Sequence, residues 1–191
     1  MPNSCPNEVQ MTSKLRADDF HILPKWCTND ANGKTTCVSF NQSYKRYKLI
    51  YQVEGTSNNL SYFGLEVKAG GSWKSGSNNY TMLRSTRRHN AMDERQTNET
   101  RIWLVSEAVK FLQGEITFYD PNSNSYFCNF CSDSYAMISG SSVSTYTFQF
   151  AQTNGAYVSN NFNSTVPIQG IRFRWGVNGL NNLDWLLLAA P

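Results

Sequence analysis

The stretch that most limits the fold is Ile168-Gln169-Gly170-Ile171-Arg172-Phe173-Arg174-Trp175-Gly176, followed by a polar reversal and the run Leu183-Asp184-Trp185-Leu186-Leu187-Leu188. Ile171, Phe173 and Trp175 alternate with Arg172 and Arg174, a period of two that gives one strand face an apolar row and the other a cationic, solvated row. Val177 to Asn182 supplies glycine and asparagine, which tolerate the left-handed backbone a reversal needs. The closing run, almost continuously apolar, reads as a strand buried on both sides. Two strands joined this way predict a β-sandwich.

The rest of the chain carries the same signals. Tyr47, Leu49 and Tyr51 share one side of a strand over Tyr44–Val53, and Leu65 and Val67 share one side of the next, which Ala69-Gly70-Gly71-Ser72 breaks. Ser85–Glu99 is the most polar region and reads as a long exposed connection. Arg101–Val105 is a predicted strand, as is Phe111–Tyr119, with Ile116 and Phe118 on one face. Asp120-Pro121-Asn122-Ser123-Asn124-Ser125 is a turn, because proline fixes φ while asparagine and serine bond locally. Tyr126–Phe130 returns antiparallel, and Ser144–Ala151 alternates with Tyr146, Phe148 and Phe150 in step. No βαβ alternation and no internal repeat is visible. The expected architecture is all-β, a jelly-roll-like antiparallel β-sandwich over residues 38–191 preceded by an irregular N-terminal arm over 1–37. Phe20, Ile22, Leu23 and Trp26 give that arm enough large apolar surface to dock on the body or on a neighbour.

The composition agrees, with aromatics at 14% and charged residues at 16%, against the Ala, Leu, Glu and Lys of helical bundles. A net charge of +3 does not by itself indicate nucleic acid or an anionic membrane. No segment has the apolar length of a membrane span, and the polar run Pro2–Lys14 shows no signal-peptide core. The five cysteines are an odd number for a fully paired framework. Cys27 and Cys37 bracket a polar loop and suit a hairpin disulfide in an oxidising setting; a reducing cytoplasm would keep them mostly reduced. Cys128-Asn129-Phe130-Cys131 is half of a zinc pattern without its second half, so ordinary thiols are the expectation and no cofactor is implied. Asn-X-Ser/Thr triplets at Asn41, Asn59, Asn79, Asn98 and Asn163 are read as a consequence of composition.

The residues that carry chemistry are sparse. His21 and His89 stand in no catalytic motif, and phosphate loops and nucleophile elbows are missing. A glycosidase pair would have to come from distant carboxylates such as Glu66, Glu115 and Asp184, so an enzyme is not indicated. Arg84, Arg87, Arg88, Arg95 and Arg101 are interleaved with Asp93, Glu94 and Glu99, which favours a solvated loop or a protein contact over nucleic acid. Trp73 and Tyr80 flank a polar loop and suit stacking on a sugar or contact with a partner. For Trp73, a place beneath its own loop is the preferred alternative.

Three segments together resemble one family: Trp73-Lys74-Ser75-Gly76 after a strand, Gly114-Glu115-Ile116-Thr117-Phe118-Tyr119-Asp120-Pro121-Asn122-Ser123, and Ile168-Gln169-Gly170-Ile171-Arg172-Phe173 before the last turn. Their order and spacing are similar to a β-sandwich domain at the distal ends of bacteriophage tail fibres and tail spikes, and in related small virion proteins. The likeness covers roughly Tyr44 to Leu188. It departs from the pattern in the Val177–Asn182 turn, commonly richer in Ser, Gly and Ala, and in lacking the long fibre that usually carries the domain. The resemblance implies a virion structural protein, assembled in the bacterial cytoplasm and homo-oligomeric, that contacts other virion proteins and a host-surface glycan or receptor. Capsid decoration through the arm, and a non-viral carbohydrate-binding module, are the alternatives. The family carries no general catalytic residues, so none is transferred.

Overall fold

The computed structural model describes residues 21–22, 27–30, 34–37, 40, 44–55, 63–76, 78–88, 91–104, 110–125, 127–139, 146–158, 166–175 and 180–191. The described residues contain no helix. They form β1 (His21–Ile22), β2 (Cys27–Asp30), β3 (Lys34–Cys37), β4 (Arg46–Gly55), β5 (Gly64–Ala69), β6 (Ser72–Trp73), β7 (Tyr80–Arg88), β8 (Ala91–Glu99), β9 (Ile102–Trp103), β10 (Phe111–Tyr119), β11 (Cys128–Ser139), β12 (Tyr146–Tyr157), β13 (Ile168–Arg174) and β14 (Leu180–Ala190).

The strands pair antiparallel into an eight-stranded sheet, β1-β14-β4-β10-β11-β12-β7-β8, and a six-stranded sheet, β2-β3-β13-β5-β6, with β9 also on β5. Within them lie two four-stranded sets, β1-β14-β4-β10 and β3-β13-β5-β9. The chain passes between these sets in the order that defines a jelly roll. The remaining strands are additions. The β7–β8 hairpin enters between β5 and β9, and β11–β12 between β10 and β13; both extend the large sheet beyond β10.

Period-two patterning makes the core. On β4, Tyr47, Leu49, Tyr51 and Val53 are buried, on β10 Leu112, Ile116 and Phe118, and on β13 Ile171 and Phe173. Tyr51 of the large sheet meets Phe173 of the small one edge-on at 6.3 Å, and Phe63 stacks on Phe173 at 5.5 Å. The β5–β6 turn has Gly70 and Gly71 at φ 56° and 78°, the pair of positive values that a two-residue hairpin of matching twist requires.

Four expectations change. The segment 1–37 is not wholly an arm: β1 pairs with β14 in one sheet, and β3 pairs with β13 in the other. The polar region 85–99 is the β7–β8 hairpin, whose outermost strand Ala91–Glu99 has the charged composition that protects a sheet edge from further pairing. The closing strand is not buried on both faces along its length, because Trp185, Leu187 and Ala189 are buried while the alternating Asp184 and Leu186 are exposed, Leu186 by 37%. The cationic row of β13 is not solvated. Glu66, fully buried on β5, accepts from Arg172 Nε at 2.7 Å and Nη2, and from Arg174 Nη1, while the Arg172 guanidinium lies 4.6 Å over the Trp73 ring.

Tyr80 ties the two sheets together. β9 and β6 pair with β5 at its two ends and leave the edge between them open. There the Tyr80 hydroxyl accepts from Val67 N–H at 2.9 Å and donates to the Lys74 carbonyl at 2.8 Å. Burial pushes the Tyr80 phenol, like that of Tyr51, far above its ordinary 10.0. A phenol held neutral in the fold stabilises fully below pH 10.0, and that contribution fades as pH rises from there toward the folded value, because the unfolded chain ionises first.

Tyr80→Phe is expected to cost about 1–3 kcal/mol by leaving a buried N–H without its partner, and to flatten the loss of stability above pH 10. Urea unfolding on both sides of that pH checks both effects; an unchanged midpoint and slope would contradict the role given to the hydroxyl. Glu66→Gln is expected to cost about 3–5 kcal/mol, because two largely buried guanidinium groups lose their counter-charge. Calorimetric melting reads that loss directly.

Candidate ligand-binding surface on the large sheet

Register aligns side chains from successive strands into rows across the outer face of the large sheet. One row runs Asp184, Gln52, Gln113, Tyr135, Phe150, Arg87, each opposite the next. The row beside it runs Leu186, Ile50, Glu115, Asp133, Gln152. Both rows point away from the core, since the neighbouring positions Tyr51, Leu112, Ser134, Ala151 and Thr86 are buried. Between them lies a trough of about 660 Å³ across β14, β4, β10 and β11, lined by Ile50, Gln52, Gln113, Glu115, Asp133, Tyr135, Asp184 and Leu186. At ordinary strand spacing these four strands span roughly 14 Å.

A second hollow of about 290 Å³ adjoins it, lined by Arg87, Phe111, Gln113, Tyr135, Met137 and Phe150. Tyr135 and Gln113 belong to both. Tyr135 is 53% exposed, and its ring packs against Phe150 with centroids 5.0 Å apart, so the ridge between the concavities is aromatic and braced.

The floor is set from inside. Gly114 is opposite Tyr51 on one side and Ser134 on the other, and the Tyr51 hydroxyl reaches past it to Ser134 Oγ at 2.6 Å. A Cβ on Gly114 would lie 2.7 Å from that hydroxyl and 2.3 Å from the Asp133 carbonyl. Only glycine fits. The requirement is one of space, with the Asp133 carbonyl and the Tyr51 hydroxyl taking the room a side chain would fill.

The trough is anionic. Glu115 pairs with Lys48 at 2.8 Å, Asp133 accepts from Gln152 Nε2 at 3.2 Å, and Asp184 accepts from Asn182 Nδ2 at 3.3 Å. Three carboxylates thus line the trough, and Lys48 is paired with one of them. Their field is felt nearby: burial raises the Cys131 thiol, and Asp133 and Glu115 raise it further. Such a surface offers acceptors for hydroxyl donors, carboxamides that bond in both directions, and a ring for stacking.

The sequence-predicted residues divide across the molecule. Arg87 is exposed at the rim of the hollow, whereas Arg84 lies in the same strand on the opposite, inward side. Arg88 stands opposite Ala91 at the end of β7. Tyr80 is no surface contact, since it is fully buried as described above. Trp73 is half-buried under Arg172, nearer to the preferred alternative than to a free platform. Ile22 lies in β1 opposite Leu188, and Phe20, Leu23 and Trp26 fall outside the described residues. Glu66 belongs to the small sheet and does not join Glu115 and Asp184 in the trough. Cys128 and Cys131 are three apart on one strand and therefore face opposite sides, so they cannot share a metal ion. Among the described residues no cluster of three or more His, Cys, Asp or Glu is placed to hold a metal, and no helix is long and apolar enough to cross a membrane. The Cys27 and Cys37 backbones are directly opposite in the β2–β3 hairpin. Asn79 is buried and its amide donates to the Gly76 carbonyl at 2.7 Å, so this triplet is a structural residue in the fold.

Tyr135 and Phe150 are the residues sequence reasoning missed. Phe150 sits in an alternating aromatic row that suggests a core face, yet the inward positions beside it are Ala151 and Thr153. Comparison with known proteins finds no matching family model, no similar curated protein and no similar solved structure. The likeness to phage fibre domains therefore rests on the sequence segments alone.

Gly114→Ala is expected to destabilise by about 1–3 kcal/mol through overpacking. Paired with Gly71→Ala, where no atom lies within 4 Å of the added carbon and only the positive φ is strained, it separates crowding from backbone cost in urea unfolding. Equal losses at the two sites would contradict the packing account.

Proposed function

We propose that this protein is a non-catalytic attachment subunit of a bacteriophage virion, which recognises a host-surface glycan on the outer face of its large sheet. The observation that carries the reading is the trough with its braced aromatic ridge: Tyr135 on Phe150, beside Gln52, Gln113 and carboxylates that accept hydrogen bonds. A sugar presents the complementary surface, hydroxyl groups around its edge and C–H bonds on its faces. The virion setting draws its support from elsewhere. The jelly-roll order is one that viral capsid and lectin domains share, and the three quoted segments resemble phage fibre domains. Fold alone does not choose among these, so the choice rests on the site. Its side chains arise from strands, so the surface is held ready before a ligand arrives.

Two measurements test this reading. Antibody labelling of purified particles from the source of the chain is expected to mark the tail tip; a protein absent from particles would sink the virion assignment. In a glycan array, Tyr135→Ala is expected to lower binding about tenfold or more while the fold survives, since the side chain is largely exposed. Wild-type binding by that variant would remove the ridge from the account.

A further inference from the structure

The two concavities differ in chemistry although they share a wall. The trough carries Gln52, Gln113 and the carboxylates of Glu115, Asp133 and Asp184 beside Ile50 and Leu186. The hollow is walled by Phe111, Met137, Phe150 and Tyr135, and its polar groups are Gln113 on the shared wall and Arg87, exposed at the rim. A ligand occupying both must combine a hydroxylated body with a small apolar group next to a hydrogen-bond acceptor. An acetamido substituent has that composition. Its methyl group suits the apolar walls, and its carbonyl oxygen can accept from the Arg87 guanidinium or the Gln113 amide. Uronic, sialic and sulfated sugars would bring anions beside Glu115, Asp133 and Asp184, where like charges repel.

We propose that this surface selects a neutral glycan bearing N-acetylated hexosamine, with ring hydroxyls in the trough and the acetamido group in the hollow. The proposal rests on the glycan-binding reading above and names its substrate class. It makes Arg87 and Met137 specificity-determining residues and leaves Tyr135 as the stacking platform for any sugar.

The test uses the full chain on an array of oligosaccharides matched in linkage, differing only in an acetamido or a hydroxyl group at the second carbon, together with uronate-containing members. The expected result is binding of acetamido members at least about tenfold tighter than their hydroxyl partners, with uronates unbound. Met137→Trp, which fills the hollow, is expected to bring the paired affinities within about twofold by weakening the acetamido member. Arg87→Ala, at an exposed position, is expected to narrow the preference in the same direction and guards against misfolding of the larger substitution. Glycan binding that Tyr135→Ala abolishes but that shows no acetamido preference, or prefers uronates, would overturn this proposal and leave the attachment reading in place. Binding to no glycan, or binding indifferent to Tyr135→Ala, would overturn both.

Discussion

The hydrogen bond between Tyr51 and Ser134 across Gly114 is the contact on which the outer face depends. It joins β4, a strand of the jelly roll proper, to β11, the first strand added beyond it. The two are not neighbours, since β10 runs between them, and the ring can cross only because β10 presents glycine at that point. A side chain there would part the phenol from the serine and push β10 from β11 at the trough floor. The buried end of the bond is also costly to leave incomplete, because a phenol inside a core must find a partner.

This arrangement explains why the sheet can be so wide. Jelly-roll sheets bury one face against their partner sheet, and the six-stranded sheet supplies that cover for β14, β4 and β10. Beside the Tyr51–Ser134 contact the inward positions of the added strands are small and polar: Ser132 and Ser134 on β11, Ala151 and Thr153 on β12, Thr86 on β7. Toward the other end of the same strands the inner face is again filled by large side chains, with Phe130, Tyr157, Tyr80 and Met82 buried in the core. On the outer face the rings of Tyr135 and Phe150 pack on each other. The added strands thus extend the core at one end and supply the ridge on the outer face.

How much of this was legible follows from what each signal measures. Alternation on β4, β5, β10 and β13 located the core because those strands are apolar on one side only, and Ala69-Gly70-Gly71-Ser72 marked the end of β5, where the structure has a two-residue turn with both glycines at positive φ. Arg172 and Arg174 misled because alternation separates two faces without saying which is wet; the fate of the outer face was set by Glu66 on a strand distant in sequence. Tyr80 misled in the same way, its partners Val67 and Lys74 being reachable only once β5 had an open edge. The polar hairpin β7–β8 was missed because an edge strand has no need of an apolar face. Tyr135 and Phe150 carried no signal separate from that of core aromatics, since periodicity gives spacing and leaves the direction to the partner strands.

A site made from register rows has a consequence that a site made from loops does not. Asp184, Gln52, Gln113, Tyr135, Phe150 and Arg87 belong to six strands, and their relative positions are fixed by backbone ladders that also hold the core. Little ordering remains to be done when a ligand binds, and the entropy that mobile loops would lose is already spent in folding. The same rigidity narrows what can bind. A row of side chains at strand spacing matches an extended, stiff ligand better than a compact one. Loops can change length without disturbing a core, whereas a slip of one residue in β11 would turn Tyr135 inward and Ser134 outward. The Tyr51–Ser134 bond opposes that slip, so the contact that fixes the floor of the trough also fixes which way its aromatic ridge points.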